Sequence, residues 1–191
     1  MDTTQTSLLQ RIKDPGDSLA WGEFVTLYRP MLVRFARARS VTEQDAEDIA
    51  QQCLESISKH IRSFEYDRQR GGFKRWLHTL VNNRVRNLLR QRRERVAESA
   101  DFKRPQERER PPEEIWEQLW LQEHVRYCLA KIRERVEDRT FRAFEFRTLR
   151  EWPVDRVCQV LDMTPEQVHV AKSRVTRHLR EMMSEMLAGT N

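Results

Sequence analysis

The stretch that decides the fold is GGFKRWLHTLVNNRVRNLLRQRRER, residues 71–95. After the Gly-Gly break its apolar residues recur at steps of three and four, which predicts one long amphipathic helix. From Arg68 to Arg95 there are ten Lys or Arg side chains against one acid, Glu94. Such a local cationic excess indicates a polyanionic partner, whereas an ordinary solvated face usually carries both signs of charge. The predicted apolar positions are Phe73, Trp76, Leu77, Leu80, Val81, Leu88 and Leu89.

The charge of the whole chain is unevenly distributed. Its 191 residues carry a formal net charge of +5. Residues 1–96 hold 18 basic and 12 acidic side chains, while residues 114–191 hold 13 of each. The length suits one large or two small domains. Residues 97–113 are polar, contain proline and lack periodicity, so they predict a flexible linker between two domains.

The remaining first-half segments also predict helices. Apolar residues from Leu19 to Phe35 recur at helical spacing, and Pro30 is expected to kink or split that helix. Thr42 followed by Asp45 predicts the capped start of the next helix, whose first acids favour the positive end of its dipole. The face opposite its apolar stripe is polar and acidic, and it consists of Asp48, Gln51, Gln52 and Glu55.

Aromatic side chains precede the basic helix in RSFEYDRQRGG, residues 62–72, which predicts a loop. Exposed aromatics beside arginines can stack on unpaired bases, worth roughly 1–3 kcal/mol per base. Phe64 and Tyr66 are the candidates for base contact. Trp76 shares a stripe with Leu80 and Val81, so we expect it in the core.

The second half begins near Glu114 with a helix whose Trp116 and Trp120 are either a docking surface or core. TFRAFEFRTLREW, residues 140–152, predicts a further helix that Pro153 ends. With the first-half helices, these segments predict an all-α chain.

The segment VDRVCQVLDMTPEQVHVAKSRV, residues 154–175, has the form of a helix-turn-helix. Val157, Val160 and Leu161 are expected to pack the first helix, and Thr164 suits the N-cap of the second. Residues 168–180 contain four Lys or Arg and no acid, which suits a helix that contacts DNA. The alternative is an ordinary helical hairpin. The expected inward residues are Val168, Ala171, Val175 and Leu179, and the outward ones are Gln167, His169, Lys172, Ser173, Thr176 and Arg177.

The sequence contains no motif that points to catalysis or metal binding. No HExxH, GxSxG or glycine-rich phosphate loop occurs. Cys53, Cys128 and Cys158 form no CxxC pair, and Cys53 and Cys158 are expected as buried free thiols. We therefore expect no catalytic residue, no metal and no cofactor. The lack of an apolar signal core, or of a run of about 18 apolar residues, predicts a cytoplasmic protein without a membrane span.

With these motifs the chain resembles bacterial sigma factors of the extracytoplasmic-function type. DAEDIAQQCLESI, residues 45–57, resembles the region 2 helix that docks on the polymerase clamp. Residues 64–95 resemble the segment that binds and melts the −10 element, and residues 144–168 resemble region 4, which binds the −35 element. The resemblance implies region 2 at residues 15–96, a linker at 97–113 and a helix-turn-helix region 4 at 114–187.

The resemblance implies a specificity subunit of core RNA polymerase, with roles for three residue sets. Asp48, Gln51, Gln52 and Glu55 would face the polymerase clamp helices. The set that would contact −10 promoter DNA, single-stranded where it melts, is Phe64, Tyr66, Arg68, Arg70, Asn83, Arg86, Asn87, Arg90, Arg92 and Arg93. The set that would contact −35 duplex DNA is Gln167, His169, Lys172, Ser173, Arg174 and Arg177. An anti-sigma factor is a further candidate partner, and we expect a monomer when the protein is free.

The chain departs from the family in its helix-turn-helix, and two other functions remain open. The KSR triplet lies three residues later than is usual, and Asp162 replaces the common turn glycine, although Asp can adopt the left-handed conformation. A free-standing helix-turn-helix regulator that binds duplex DNA as a dimer would need neither the acidic-polar face nor the aromatic loop. A nuclease or recombinase would need clustered carboxylates for metal, whereas the acids here lie at helix starts or at salt-bridge spacing.

Overall fold

The computed structural model describes residues 4–64, 72–97 and 111–188. Every regular element of these residues is helical, so the predicted all-α class is confirmed. They form two compact units that divide between Glu123 and His124. The helices are α1 (Thr4–Arg11), α2 (Ser18–Arg37), α3 (Glu43–His60), α4 (Gly72–Ala97), α5 (Pro112–Arg135), α6 (Asp138–Phe144), α7 (Val154–Leu161) and α8 (Pro165–Ala188), with a 3-10 turn at Ile61–Ser63 and a π turn at Glu145–Leu149.

The core of the first unit lies between α2, α3 and α4. Each helix contributes a stripe at three- and four-residue steps, and α4 enters the core with Phe73, whose ring meets Tyr28 edge-on at 5.4 Å. Gly72 precedes Phe73 with φ 58°, a conformation that glycine adopts without strain. The fully or nearly fully buried side chains include Phe24, Tyr28, Met31 and Phe35 of α2, Ala46, Ile49, Cys53 and Ile57 of α3, and Phe73, Leu77, Val81 and Val85 of α4.

Two features of the first unit refine the sequence expectations. Of the two outcomes expected at Pro30, a kink or a split, the split does not occur, because α2 continues as one helix through the proline. α1 was not predicted, because eight residues are too few for a clear periodicity. Its Leu8 and Leu9, and Ile12 just beyond it, are nevertheless buried.

The first half of α5 belongs to the first unit. Trp116 and Trp120 are 2% and 1% exposed, so both tryptophans are core. Trp120 lies 5.7 Å from Tyr28, while Trp116 lies 5.4 Å from Phe35 and stacks on His78 at 5.1 Å, measured between ring centroids. The predicted second domain starts at residue 114, whereas the spatial division falls later, after Glu123.

The second unit contains the rest of α5 together with α6, α7 and α8. Its core includes Ala143, Phe146, Val157, Val168 and Ala171. The helix that was expected to run to Pro153 instead ends in the π turn at Glu145–Leu149. There the backbone turns back, so that the N–H of Trp152 donates to the carbonyl of Phe146 at 2.9 Å and the two rings stack at 4.4 Å.

The cysteines are free thiols. Cys53 and Cys128 are buried, whereas Cys158 is half-buried against the core of the second unit. Burial raises the pKa of the Cys53 thiol to about 12 and that of Cys128 to about 11. No helix among the described residues is both long and apolar enough to cross a membrane.

Candidate nucleic-acid interface

The outward face of α4 brings together five of the residues predicted to contact DNA. A helix advances by about 100° per residue, so positions separated by three, four and seven residues share one face. These five are all exposed, and they line a single open groove on the side away from Leu77 and Val81. The groove residues are Asn83, Arg86, Asn87, Arg90 and Arg93.

The groove combines amides with guanidinium groups. Arg90 lies 3.8 Å from Glu94 one turn along the helix, and both side chains are largely exposed. A pair exposed to this extent is worth little, because water screens it. The face therefore presents cations that can hold phosphates and amides that can hydrogen-bond to base edges.

Two arginines of the same basic run are turned toward α3 instead. Arg84 donates to the carbonyl of Gln52 at 3.1 Å and to the hydroxyl of Ser56 at 2.5 Å. Arg92 forms an ion pair with Asp45 in the first turn of α3. Because Arg92 lies about 180° around α4 from Asn83, it does not share the groove with the other predicted DNA contacts.

The aromatic residues near the start of α4 form one cluster. Phe64 is half-buried, with its ring centroid 5.0 Å from Trp76 and 6.0 Å from Phe73. Its carbonyl accepts a hydrogen bond from the Lys13 ammonium at 2.8 Å. Trp76 is half-buried, so it belongs to the core only in part. The other predicted contacts of this segment, Tyr66, Arg68 and Arg70, lie outside the described residues.

The predicted polymerase-binding residues form one exposed face of α3. Asp48, Gln51, Gln52 and Glu55 are all exposed, and the amide of Gln51 donates to Glu55 at 3.2 Å. The helix is fixed at its start by Thr42, whose hydroxyl accepts from the N–H of Asp45 at 3.3 Å, as the capping signal predicted.

The bundle of the first unit matches a known protein family. The family model of sigma-70 region 2 matches residues 24–95, which span α2, α3 and nearly all of α4. Over these residues, a little over a third of the chain, the bundle is similar to sigma-70 region 2. The chain is also similar to CnrH in a solved structure of CnrH in complex with the cytosolic domain of CnrY, at 17% sequence identity and a TM-score of 0.40, over 96% of this chain and 98% of that one.

The match to sigma-70 region 2 ends before α5 and does not include the second unit. α7 ends at Asp162, which adopts φ 50° and ψ 55°, the left-handed conformation that its side chain tolerates better than most. Thr164 and Gln167 then form a reciprocal cap, in which the N–H of Thr164 donates to the Gln167 side chain at 2.9 Å and the N–H of Gln167 donates to the Thr164 hydroxyl at 3.3 Å. A tight turn between two helices results, as the sequence predicted.

The packing of this turn corrects one expectation. Val157 is buried and Leu161 is half-buried as expected, but Val160 is 55% exposed and does not pack the first helix. The three-residue spacing from Val157 favoured burial, but Val160 lies about 60° around α7 from Val157 and about 100° from Leu161, at the edge of the face that packs on the core.

All six residues predicted to contact −35 DNA are exposed on α8. Gln167 already uses its carbonyl oxygen in the cap, and Arg177 lies 4.0 Å from Glu181. The outward residues near the start of α8 that the sequence analysis did not assign include Glu166 and Val170. Hydrogen bonds from its own backbone N–H and from the Thr164 hydroxyl hold the pKa of Glu166 below its ordinary value. The inward set is correct, since Val168, Ala171 and Val175 are buried and Leu179 half-buried.

Proposed function

We propose that this protein is a sigma factor of the extracytoplasmic-function type, which binds core RNA polymerase and directs promoter-specific transcription initiation. The observation that carries the proposal is the match of residues 24–95 to sigma-70 region 2, with the residues for two partners exposed on two different helices of that domain. The division of the chain into two helical units fits a short, two-domain family member.

The exposed face of α3 supports the polymerase-binding role. It is the side of α3 that the bundle leaves free, and it combines two carboxylates with two amides on about two turns of one rigid helix. Such a surface suits a protein partner, because carboxylates repel the phosphates of DNA. In the proposed complex Asp48, Gln51, Gln52 and Glu55 contact the clamp helices of the polymerase.

The groove on α4 supports the role in binding the −10 element. Asn83 and Asn87 provide hydrogen bonds to base edges, while Arg86, Arg90 and Arg93 hold the backbone phosphates. Binding through three arginines should weaken steeply with added salt, because each phosphate contact releases counterions. Phe64 lies at the edge of the aromatic cluster, and in the proposed complex it stacks on a base that has left the duplex.

The helix-turn-helix of the second unit supports the role in binding the −35 element. Four of the predicted contacts follow the capped start of α8: His169, Lys172, Ser173 and Arg174. They lie toward the N-terminus of α8, and this is the part of a recognition helix that contacts bases in the major groove. Arg177 lies one turn further along, where it can reach a phosphate.

Run-off transcription with core polymerase, with and without this protein, tests the proposal on a pool of genomic promoters. We expect new start sites that share two upstream elements. Arg86→Ala should reduce these transcripts several-fold across all the promoters and make binding less dependent on salt, since it removes one of the three guanidinium groups that hold backbone phosphates. No new transcripts, together with no co-purification with core polymerase, would contradict the proposal.

Arg92→Ala is the matched control for Arg86→Ala. Both changes remove one guanidinium from the same helix, but Arg92 pairs with Asp45 and faces away from the groove. We expect Arg92→Ala to lower stability by no more than about 1 kcal/mol and to leave promoter selection unchanged. A double Asp48→Arg, Glu55→Arg variant should lose binding to core polymerase while keeping its helical content.

A further inference from the structure

We propose that Val170 contacts the 5-methyl group of a thymine in the duplex that the helix-turn-helix binds, and so selects a T·A pair at one position. This inference rests on the DNA-binding part of the proposed function. It adds a specificity-determining residue to a set that otherwise consists of polar and charged side chains.

Val170 lies near the centre of the outward face of α8. The buried stripe of this helix runs through Val168, Ala171 and Val175, which are 0%, 4% and 0% exposed. At about 100° per residue, Val170 falls on the opposite side, in line with Ser173 and Arg177. Its exposed fraction is 57%, so it takes no part in the core of the unit.

The surroundings of Val170 are those of a DNA-binding surface. His169, Ser173, Arg174 and Arg177 are all exposed nearby on the same helix. Val170 and Arg174 also line an open groove with Arg139, Thr140 and Met163, and with the carboxylates of Glu137 and Glu166. On α8 itself Arg174 and Arg177 lie within two turns of Val170, and these cations suit phosphates beside a base contact.

The chemistry of valine limits what Val170 can recognise. Valine has no hydrogen-bonding group, so placing it against the donors and acceptors of a base edge would desolvate them without compensation. In the major groove the base pairs differ by one apolar feature, the 5-methyl group of thymine. A position read by Val170 should therefore favour thymine over cytosine, and should lose that preference when the methyl group is removed.

The test uses duplexes selected from a random pool by the full-length protein, both with core polymerase and alone. Each thymine of the element bound by the second unit is replaced singly by uracil, which removes only the 5-methyl group. We expect one replacement to weaken binding of the wild type about fourfold, the factor for burying one methyl-sized group. Val170→Ala should weaken binding to the thymine duplex by a similar factor and be insensitive to that uracil.

Val160→Ala is the matched control, because it shortens another exposed valine in the same unit by the same two methyl groups. It should leave the thymine-to-uracil ratio of the wild type unchanged. The inference is overturned if every uracil replacement affects wild type and Val170→Ala equally, if the selected element contains no thymine, or if no duplex is selected under either condition. A loss of polymerase binding in Val170→Ala with an unchanged thymine-to-uracil ratio would instead assign Val170 to a protein contact.

The result is separable from the test of the proposed function. If the protein selects duplexes alone but gives no transcripts with core polymerase, the sigma-factor role fails while the reading of thymine by Val170 is still measured. If transcripts appear and uracil has no specific effect, only the inference about Val170 fails.

Discussion

Asp162 is the residue on which the turn between α7 and α8 depends. Its left-handed backbone, φ 50° and ψ 55°, is one that a side chain with a Cβ adopts at a cost and glycine adopts freely. We expect Asp162→Gly to raise the free energy of unfolding by about 0.5–1 kcal/mol and Asp162→Ala to lower it. Urea titration of the full chain measures both changes. Equal midpoints for the glycine and alanine variants would contradict the assigned backbone conformation.

His78 makes the stability of the first unit depend on pH. Burial lowers the pKa of its imidazole from 6.5, against the opposing effect of Glu113 and Glu117, while Arg39 adds to the lowering. The unfolded chain then binds a proton more readily than the folded one. The contribution of His78 to the free energy of unfolding is therefore complete above about pH 6.5 and decreases as the pH falls below that value. The imidazole stacks on Trp116, so lost stability should appear as a change in tryptophan fluorescence.

The variant His78→Phe separates this titration from general acid unfolding. Phenylalanine can occupy the aromatic site beside Trp116 and Phe35 but cannot be protonated. We expect its melting temperature to change less than that of the wild type between pH 7.5 and about pH 5.5. Parallel pH curves for the two proteins would show that His78 titrates as freely when folded as when unfolded.

At the scale of the element, the start of α8 has two functions that can be separated. Thr164 and Gln167 cap the helix reciprocally, and Gln167 is also a proposed base contact. Thr164→Ala should lower the free energy of unfolding by about 1 kcal/mol and weaken DNA binding without changing sequence preference. Gln167→Glu keeps an acceptor in the cap and should retain stability, while its new charge changes the preferred base.

Selection of duplexes from a random pool, combined with thermal melting, checks both changes. If Gln167→Glu has a lower melting temperature than the wild type, the hydrogen bond from the N–H of Thr164 to the side chain at position 167 is not the interaction that stabilises the start of α8. If its selected sequence is unchanged, Gln167 acts only in the cap and should be removed from the base-contacting set.

The sequence predicted the elements well where the deciding interactions are local. The caps at Thr42 and Thr164 and the left-handed Asp162 depend on residues within three or four positions of each other, and all are present. The α-helical stripes were predicted for the same reason. The orientation of Arg92 could not be predicted in this way, because its partner Asp45 is 47 residues away and no local pattern distinguishes Arg92 from Arg93.

At the scale of the whole molecule, local sequence patterns do not show where the first unit ends. Composition separates the polar segment 97–113 from the helices on either side, but it cannot show which helix packs on which. The first half of α5 packs on the first unit through Trp116 and Trp120, whose contacts are more than 35 residues away in the chain. Such contacts depend on three-dimensional packing, which a single sequence does not reveal.

This packing predicts that residues 112–123 are required for the stability of the bundle that matches sigma-70 region 2, although the family match ends at residue 95. They add two buried tryptophans, the ion pair of Lys74 with Glu117 at 2.5 Å, and the ion pair of Arg34 with the buried carboxylate of Glu123. Burying one tryptophan typically contributes about 3–5 kcal/mol, so a fragment 1–97 should be much less stable than a fragment 1–123.

A fragment 1–111 is the control for chain length, because it adds the polar segment without α5. In denaturant titrations followed by circular dichroism, the fragments 1–111 and 1–97 should have similar free energies of unfolding. That of the fragment 1–123 should be several kcal/mol higher than both. Trp116→Ala in the full chain should reproduce much of the loss, since it removes the ring that packs on both Phe35 and His78. If all three fragments unfold at the same denaturant concentration, α5 packs on the bundle without stabilising it, and the stable unit then ends where the family match does.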